Sequence, residues 1–228
     1  MILQFNPPIA SITIDCVLFG FNEGKLKVLL IKRATDPEVG KWALPGGFLE
    51  KEETLENAAQ RVLEMLTGVT EVYMEQLKTF SAIHRHPIGR VITTAFYALV
   101  NPDHYPLKPS WHASEAFWCA LDRLPTLGFD HKEILDAAVT ILKRDLQIKP
   151  VGFELLSQKF TLKELQDLYE AILDKTLDRR NFRRKIKALN VLTELTEVKK
   201  GAHKDASLYS FNKEAYYKLI SEGYTLLI

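Results

Sequence analysis

The densest chemistry in this 228-residue chain lies between Arg179 and Lys187, nine residues with six basic side chains and no acidic one. At about 100° per residue, Phe182, Ile186 and Leu189 share one helix face, and Arg180, Arg183, Arg184 and Lys187 share the opposite one. The first stripe can anchor a helix to a core, and the second can meet phosphates and base edges in a DNA major groove. Arginine suits that work because its planar fork can donate to guanine O6 and N7 together. Asp178 is a natural N-cap for this helix, which is predicted to run to about Asn190. Ahead of it, Thr161-Leu162-Lys163-Glu164 spells a capping box that opens a first helix reaching about Leu173, with Leu162, Leu165, Leu168, Tyr169 and Ile172 inward. Downstream, two strand-like runs, Leu192–Val198 and Ser207–Phe211, flank a basic tip. Helix, turn, basic helix and basic hairpin make a winged helix-turn-helix. Its expected DNA contacts are Lys163, Arg179, Arg180, Asn181, Arg183, Arg184, Lys187, Lys199, Lys200, His203 and Lys204. A bare charge run is ordinarily a solvated face; the tight helical pair and the following hairpin favour DNA here.

The preceding part of the chain offers ligand-binding groups instead. A polar ligand needs a few hydrogen-bonding side chains and an apolar wall. Asp15 and Arg33 sit among apolar neighbours in strand-like runs, so they point into a pocket or form an internal salt bridge. Trp42, with Leu44 close by, is a wall on which a ring can lie, or part of the core. Gly46 and Gly47 allow close backbone approach to a ligand, or simply form a tight turn. Glu115 is a possible acceptor for hydroxyls, or a solvated carboxylate. His131 has no nearby Ser or Cys nucleophile motif and reads as a buried or helix-capping histidine. No catalytic residue, metal site or cofactor is expected.

The elements that must position these groups are legible from periodicity. Ile9–Phe19 alternates as a strand, with Ile12, Ile14, Cys16 and Leu18 on one side. Asn22-Glu23-Gly24 turns into a second strand, Leu26–Ile31. Thr54–Leu66 is a helix stopped by Gly68. Gln76–Ile83, Val91–Val100 and Phe117–Leu121 are strand-like, and Lys132–Leu146 is a second helix. This is an α+β domain occupying residues 1–152, with Lys149-Pro150-Val151-Gly152 as linker, and residues 153–228 form the winged helix. The net charge of +1 announces no nucleic-acid partner, yet residues 1–152 hold 16 Lys and Arg against 18 Asp and Glu, and the rest hold 14 against 11. Two distant cysteines, Cys16 and Cys119, are neither a disulfide framework nor a zinc set and read as reduced, buried thiols. With no secretory leader pattern and no apolar run near ~18–20 residues, a cytoplasmic protein without a membrane partner is expected.

Leu44-Pro45-Gly46-Gly47-Phe48-Leu49-Glu50-Lys51-Glu52-Glu53, then Arg61 and Thr67-Gly68-Val69, resembles the Nudix box, G-x5-E-x7-R-E-U-x-E-E-x-G-U. Glu53, Arg61, Leu63, Gly68 and Val69 match, whereas the other three glutamates fall on Val62, Met65 and Leu66. Nudix hydrolases hold divalent metals on those carboxylates, and Mg²⁺ requires oxygen ligands, so the resemblance implies the scaffold without the hydrolase. Phe160-Thr161-Leu162-Lys163-Glu164-Leu165-Gln166 and Leu177-Asp178-Arg179-Arg180-Asn181-Phe182-Arg183-Arg184-Lys185 extend the likeness to Nudix-related transcriptional regulators of the NrtR type. That resemblance implies a Nudix-like α/β/α sandwich followed by a winged helix-turn-helix, and a homodimeric repressor released from a palindromic operator by a small effector. Nucleotide-sensing members carry Asp-Arg-Asp-Pro-Arg-Gly-Arg where this chain has His84-Arg85-His86-Pro87-Ile88-Gly89-Arg90. On that departure the chain is similar to the sugar-responsive arabinose regulators (AraR) of Bacteroides, which implies a pentose such as L-arabinose in preference to ADP-ribose. The rival readings are an active Nudix pyrophosphatase with an accessory basic domain, and an RNA-binding or protein-docking module.

Overall fold

The computed structural model describes residues 11–110, 112–148, 152–201 and 205–222. The predicted linker residues Lys149, Pro150 and Val151, and the wing-tip residues His203 and Lys204, lie outside the described residues.

The organising strand is β1, Ser11–Asn22. It pairs in parallel with β6, Val91–Val100, in a register running from Ser11 opposite Val91 to Gly20 opposite Val100. On its other side it forms the predicted hairpin with β2, Lys25–Arg33. Short β3 (Trp42–Ala43) and longer β7 (Ala113–Ala120) pair with β2, β4 (Gly46–Phe48) pairs with β1, and β5 (Glu75–Phe80) pairs with β6. The predicted polar side of β1 is not solvated: the strand is buried on both faces from Thr13 to Gly20. Ile14, Cys16 and Leu18 join Ala58, Ala59 and Leu63 of helix α1 (Leu55–Thr67), whereas Val17 and Phe19 join Ile134, Leu135 and Ala138 of helix α2 (His131–Ile148). A sheet covered by helices on both faces needs apolar residues on both, and this one is the middle of an α/β/α sandwich.

The second part begins with β8 (Phe160–Thr161) and α3 (Leu162–Leu173), whose capping box forms in both directions between Thr161 and Glu164. Helix α4, Arg179–Ala188, is capped by Asp178, whose carboxylate accepts the Asn181 N–H at 2.8 Å. It stops two residues before the predicted Asn190, which takes a left-handed φ of 54°. The wing strands are β9 (Leu192–Lys199) and β10 (Ala206–Phe211), and β8 adds a third strand by pairing with β10. A last helix, α5 (Lys213–Ser221), is not among the predicted elements: it is short, and only Ala215, Tyr216 and Leu219 among its described side chains turn inward, too few for a recognisable apolar stripe.

The apolar core crosses the expected boundary at residue 152 without a break. Leu142 and Leu146 of α2 share one cluster with Phe153, Phe160, Leu165 and Leu168, and the Phe153 ring stacks on Phe211 with centroids 4.1 Å apart. Among the described residues no helix is long and apolar enough to cross a membrane.

Candidate effector site and nucleic-acid interface

A buried polar cluster lies where β1 meets the start of α2. The Arg85 guanidinium donates to Asp130 at 2.8 and 2.9 Å and to Asp15 at 3.3 Å. Arg85 and Asp15 have side chains only 3% and 6% exposed, so the charges are paired rather than solvated. His131 completes the cluster. Its Nδ1 accepts the Leu44 backbone N–H at 2.8 Å and therefore carries no proton, which leaves Nε2 to face Asp15 at 3.3 Å. Burial pushes the Asp15 carboxyl up; the His131 imidazole, the Thr93 hydroxyl and Arg85 outweigh it and hold the group below the ordinary carboxylate range.

The two glycines are shaped by this packing. A Cβ on Gly46 would stand 2.2 Å from Asp15 Oδ1 and 3.0 Å from the Ile14 carbonyl, and one on Gly47 would stand 2.9 Å from a Val62 methyl. Gly46→Ala is accordingly expected to lower stability by about 1–3 kcal/mol, read as a fall in Tm. An unchanged Tm would mean that Asp15 can move aside without cost.

The seven predicted pocket residues do not converge on one cavity. Asp15, Leu44 and Gly46 belong to the buried cluster and are committed to it, and Gly47 packs on Val62. Asp15 does form an internal salt bridge, but with Arg85 and not with Arg33. Arg33 instead donates to the carbonyls of Pro37 and Thr35 at 2.7 and 3.3 Å and lies 5.0 Å from the Phe129 ring. Trp42 packs on Phe117 at 4.5 Å, and Glu115 is exposed and paired with Lys32 at 2.8 Å; both are held by the β2–β3–β7 edge. What the sequence reading missed is a surface beside the cluster. The His86 ring stacks on Phe129 at 5.2 Å and 7°, and Phe48 stands 6.4 Å from His86 and is 55% exposed. Phe129 holds a φ of 54°, a conformation costly for an aromatic residue and frequent at ligand-binding positions. No spacing rule could find these partners: Arg85 is 70 residues from Asp15 and 45 from Asp130.

Val62, Met65 and Leu66, aligned with glutamates of the Nudix pattern, lie on helix α1. Val62 and Leu66 are buried and Met65 is 36% exposed. Glu53 is held by Arg61 at 2.8 Å and accepts the Glu50 backbone N–H at 2.7 Å, which brings its carboxyl down to about 2. Among the described residues no group of three or more His, Cys, Asp or Glu side chains is placed to hold a metal ion.

In the second part, α4 buries Phe182 and Ile186 and exposes Arg179, Arg180, Asn181, Arg184 and Lys187. The Asn181 side-chain oxygen accepts from Arg184 at 2.8 Å, and the Lys187 ammonium lies 5.5 Å from the Tyr209 ring. Arg183 differs from the expectation: it is half-buried, and its Nε is enclosed without a hydrogen-bond partner. Lys163 is tied to Asp167 at 2.7 Å on its own helix, and Lys199 bridges the wing to Glu164 at 2.7 Å. Both lysines are exposed despite these pairings, and Lys200 is exposed as well.

A Nudix-type sandwich fused through a shared core to a winged helix with a cationic second helix defines a two-part protein. Residues 11–138 match the family model of the NUDIX domain, and residues 152–211 match that of the NrtR DNA-binding winged helix domain. The chain is 33% identical to the ADPR responsive transcriptional repressor NtrR of Acinetobacter baylyi, over 92% of this chain and 85% of that protein. Over 51% of its length it is 39% identical to an ADP-ribose pyrophosphatase of Methanocaldococcus jannaschii, covering 68% of that protein. It is also similar to Shewanella oneidensis NrtR complexed with a 27mer DNA, with a TM-score of 0.80 and 30% identity, covering 95% of this chain and 97% of the other. The NUDIX domain of that protein complexed with ADP ribose matches with a TM-score of 0.56 and 32% identity, over 61% of this chain and 94% of the other. The protein belongs to the NrtR family of Nudix–winged-helix transcriptional repressors.

Proposed function

We propose that the protein is a DNA-binding transcriptional repressor whose Nudix-type domain senses ADP-ribose and does not hydrolyse it. The observation that carries this reading is the cationic, solvent-facing stripe of α4 on the second helix of a winged helix. It is supported by a relative of near full length that is an ADPR responsive repressor, and by a similar chain solved with DNA. ADP-ribose is favoured here over the pentose that the His84–Arg90 stretch suggests. A similar NUDIX domain is solved with ADP ribose. The lost charges of that stretch were a poor guide, because Arg85 faces inward to Asp15 and Asp130. Arg33, His86, Phe129 and Phe48 are the groups we assign to the effector: aromatic rings for a base and a cation for a diphosphate. We take the protein to act as a homodimer, for which a palindromic operator is the matching two-fold site.

The test is fluorescence anisotropy of the protein on duplex DNA from upstream of its own gene, at fixed salt, with ADP-ribose or L-arabinose added. ADP-ribose is expected to weaken DNA binding by about 5–150-fold, and DNA to weaken ADP-ribose binding by the same factor. Release by L-arabinose alone would sink the assignment. A pyrophosphatase remains the second reading because of the archaeal relative. Mg²⁺-dependent breakdown of ADP-ribose to AMP would establish it, and we expect none with Val62, Met65 and Leu66 in the glutamate positions.

A further inference from the structure

A cleft of about 600 Å³ opens between the two parts, at the C-terminal end of β6 and away from the loop that holds Arg85 and His86. Its walls come from both halves: Glu75 and Tyr97 from the sheet, Glu154, Phe211 and Tyr216 from the winged-helix side. We propose that this interdomain cleft binds a small organic cation, an amine or quaternary ammonium compound with an apolar body.

The cleft complements such a cation in both shape and charge. Tyrosine and phenylalanine rings present electron-rich faces that attract a cation within about 6 Å, and Tyr216 packs against both Phe211 and Tyr217 at 5.3 and 5.6 Å between centroids. Carboxylates supply the charge. Glu75 accepts the Tyr97 hydroxyl at 2.9 Å and keeps its other oxygen for a ligand, and Glu154 is exposed and makes no ion pair among the described residues. Lys213 and His104 also line the cleft, and Asp145 is bridged by Arg144, so Glu75 and Glu154 are the groups we assign to the cation. Burial raises the Tyr97 and Tyr216 hydroxyls, and the surrounding carboxylates raise both further, as a negative potential in the cleft requires.

The experiment is calorimetric titration of the full chain with choline and, in parallel, with its neutral isostere 3,3-dimethylbutan-1-ol. Choline is expected to bind saturably at one site per chain and the alcohol to bind about tenfold more weakly or not at all. Glu154→Gln, an exposed substitution, should lose about tenfold in choline affinity with an unchanged Tm, whereas Glu115→Gln on the far edge should change nothing. ADP-ribose should not compete, which separates this site from the effector site. Equal binding of choline and the alcohol, no saturable choline binding, competition by ADP-ribose, or an unaffected Glu154→Gln variant would each overturn the proposal.

Discussion

Arg85→Met is expected to destabilise the folded protein by about 3–5 kcal/mol at neutral pH, because removing one partner of a buried ion pair strands the other. Here Asp130 loses both bonds from the guanidinium, and Asp15 loses one while keeping His131 and Thr93 beside it. Asp15 is 6% exposed and Asp130 13%, and both face the same guanidinium. Methionine approximates the arginine stem but supplies no donor, so the loss is electrostatic and not a cavity. In a chain of this length the change corresponds to a fall in Tm of roughly 10 °C, measurable by thermal unfolding. The sign with pH follows from Asp15, whose folded carboxyl lies below its unfolded value of 3.8. Its stabilisation is fully present above that value and is lost as pH falls through the folded one. The gap between wild type and Arg85→Met should therefore be widest at neutral pH and close on acidification below about pH 4. A gap that is small at neutral pH, or that widens in acid, would remove the ion-pair account. Arg85→Lys keeps the charge but not the fork that reaches two carboxylates, and should fall between the two.

Arg180→Ala and Arg184→Ala should each weaken operator binding by about 1–3 kcal/mol if the side chain reads a guanine edge. If it meets a phosphate instead, affinity falls for all sequences alike and the salt slope drops by about one. Both arginines are exposed, so truncation leaves the core untouched and Tm should hold. Arg183 is the instructive contrast. Its guanidinium is partly enclosed, burial and the neighbouring Arg179 both disfavour its charge, and its Nε lacks a partner. Arg183→Ala should alter stability as well as affinity, and the two measurements together separate a groove-facing arginine from a bracing one. Unchanged DNA affinity in both Arg180→Ala and Arg184→Ala would take α4 out of the groove.

The accuracy of the sequence reading depended on distance along the chain. Thr161 and Asp178 cap their helices as expected, since a cap and the N–H it serves are three residues apart. The hairpin of β1 and β2 and the wing of β9 and β10 formed for the same reason: a turn and its flanking strands are contiguous. The pocket did not follow. Asp15 stands out in the sequence as a polar residue in an apolar strand, and of the two readings open there the salt bridge forms, with Arg85 in place of Arg33. Which basic side chain reaches Asp15 is decided by a loop 70 residues away, and no local pattern encodes that.

By itself, then, the sequence determined the amphipathic basic helix and carried the resemblance to a Nudix box with Val62, Met65 and Leu66 at three of its glutamate positions, because both are written in residue type at short spacing. Tertiary structure alone decided which charges are buried and which are offered. Arg85 is buried between Asp15 and Asp130, and Lys199 of the wing reaches Glu164 across 35 residues. Phe129, His86 and Phe48 became one surface only when the β4 strand and two loops were brought together over the Asp15–Arg85 pair. The interdomain cleft exists only because α2 and α3 share one core across residue 152, a packing arrangement set by apolar burial between elements far apart in the chain.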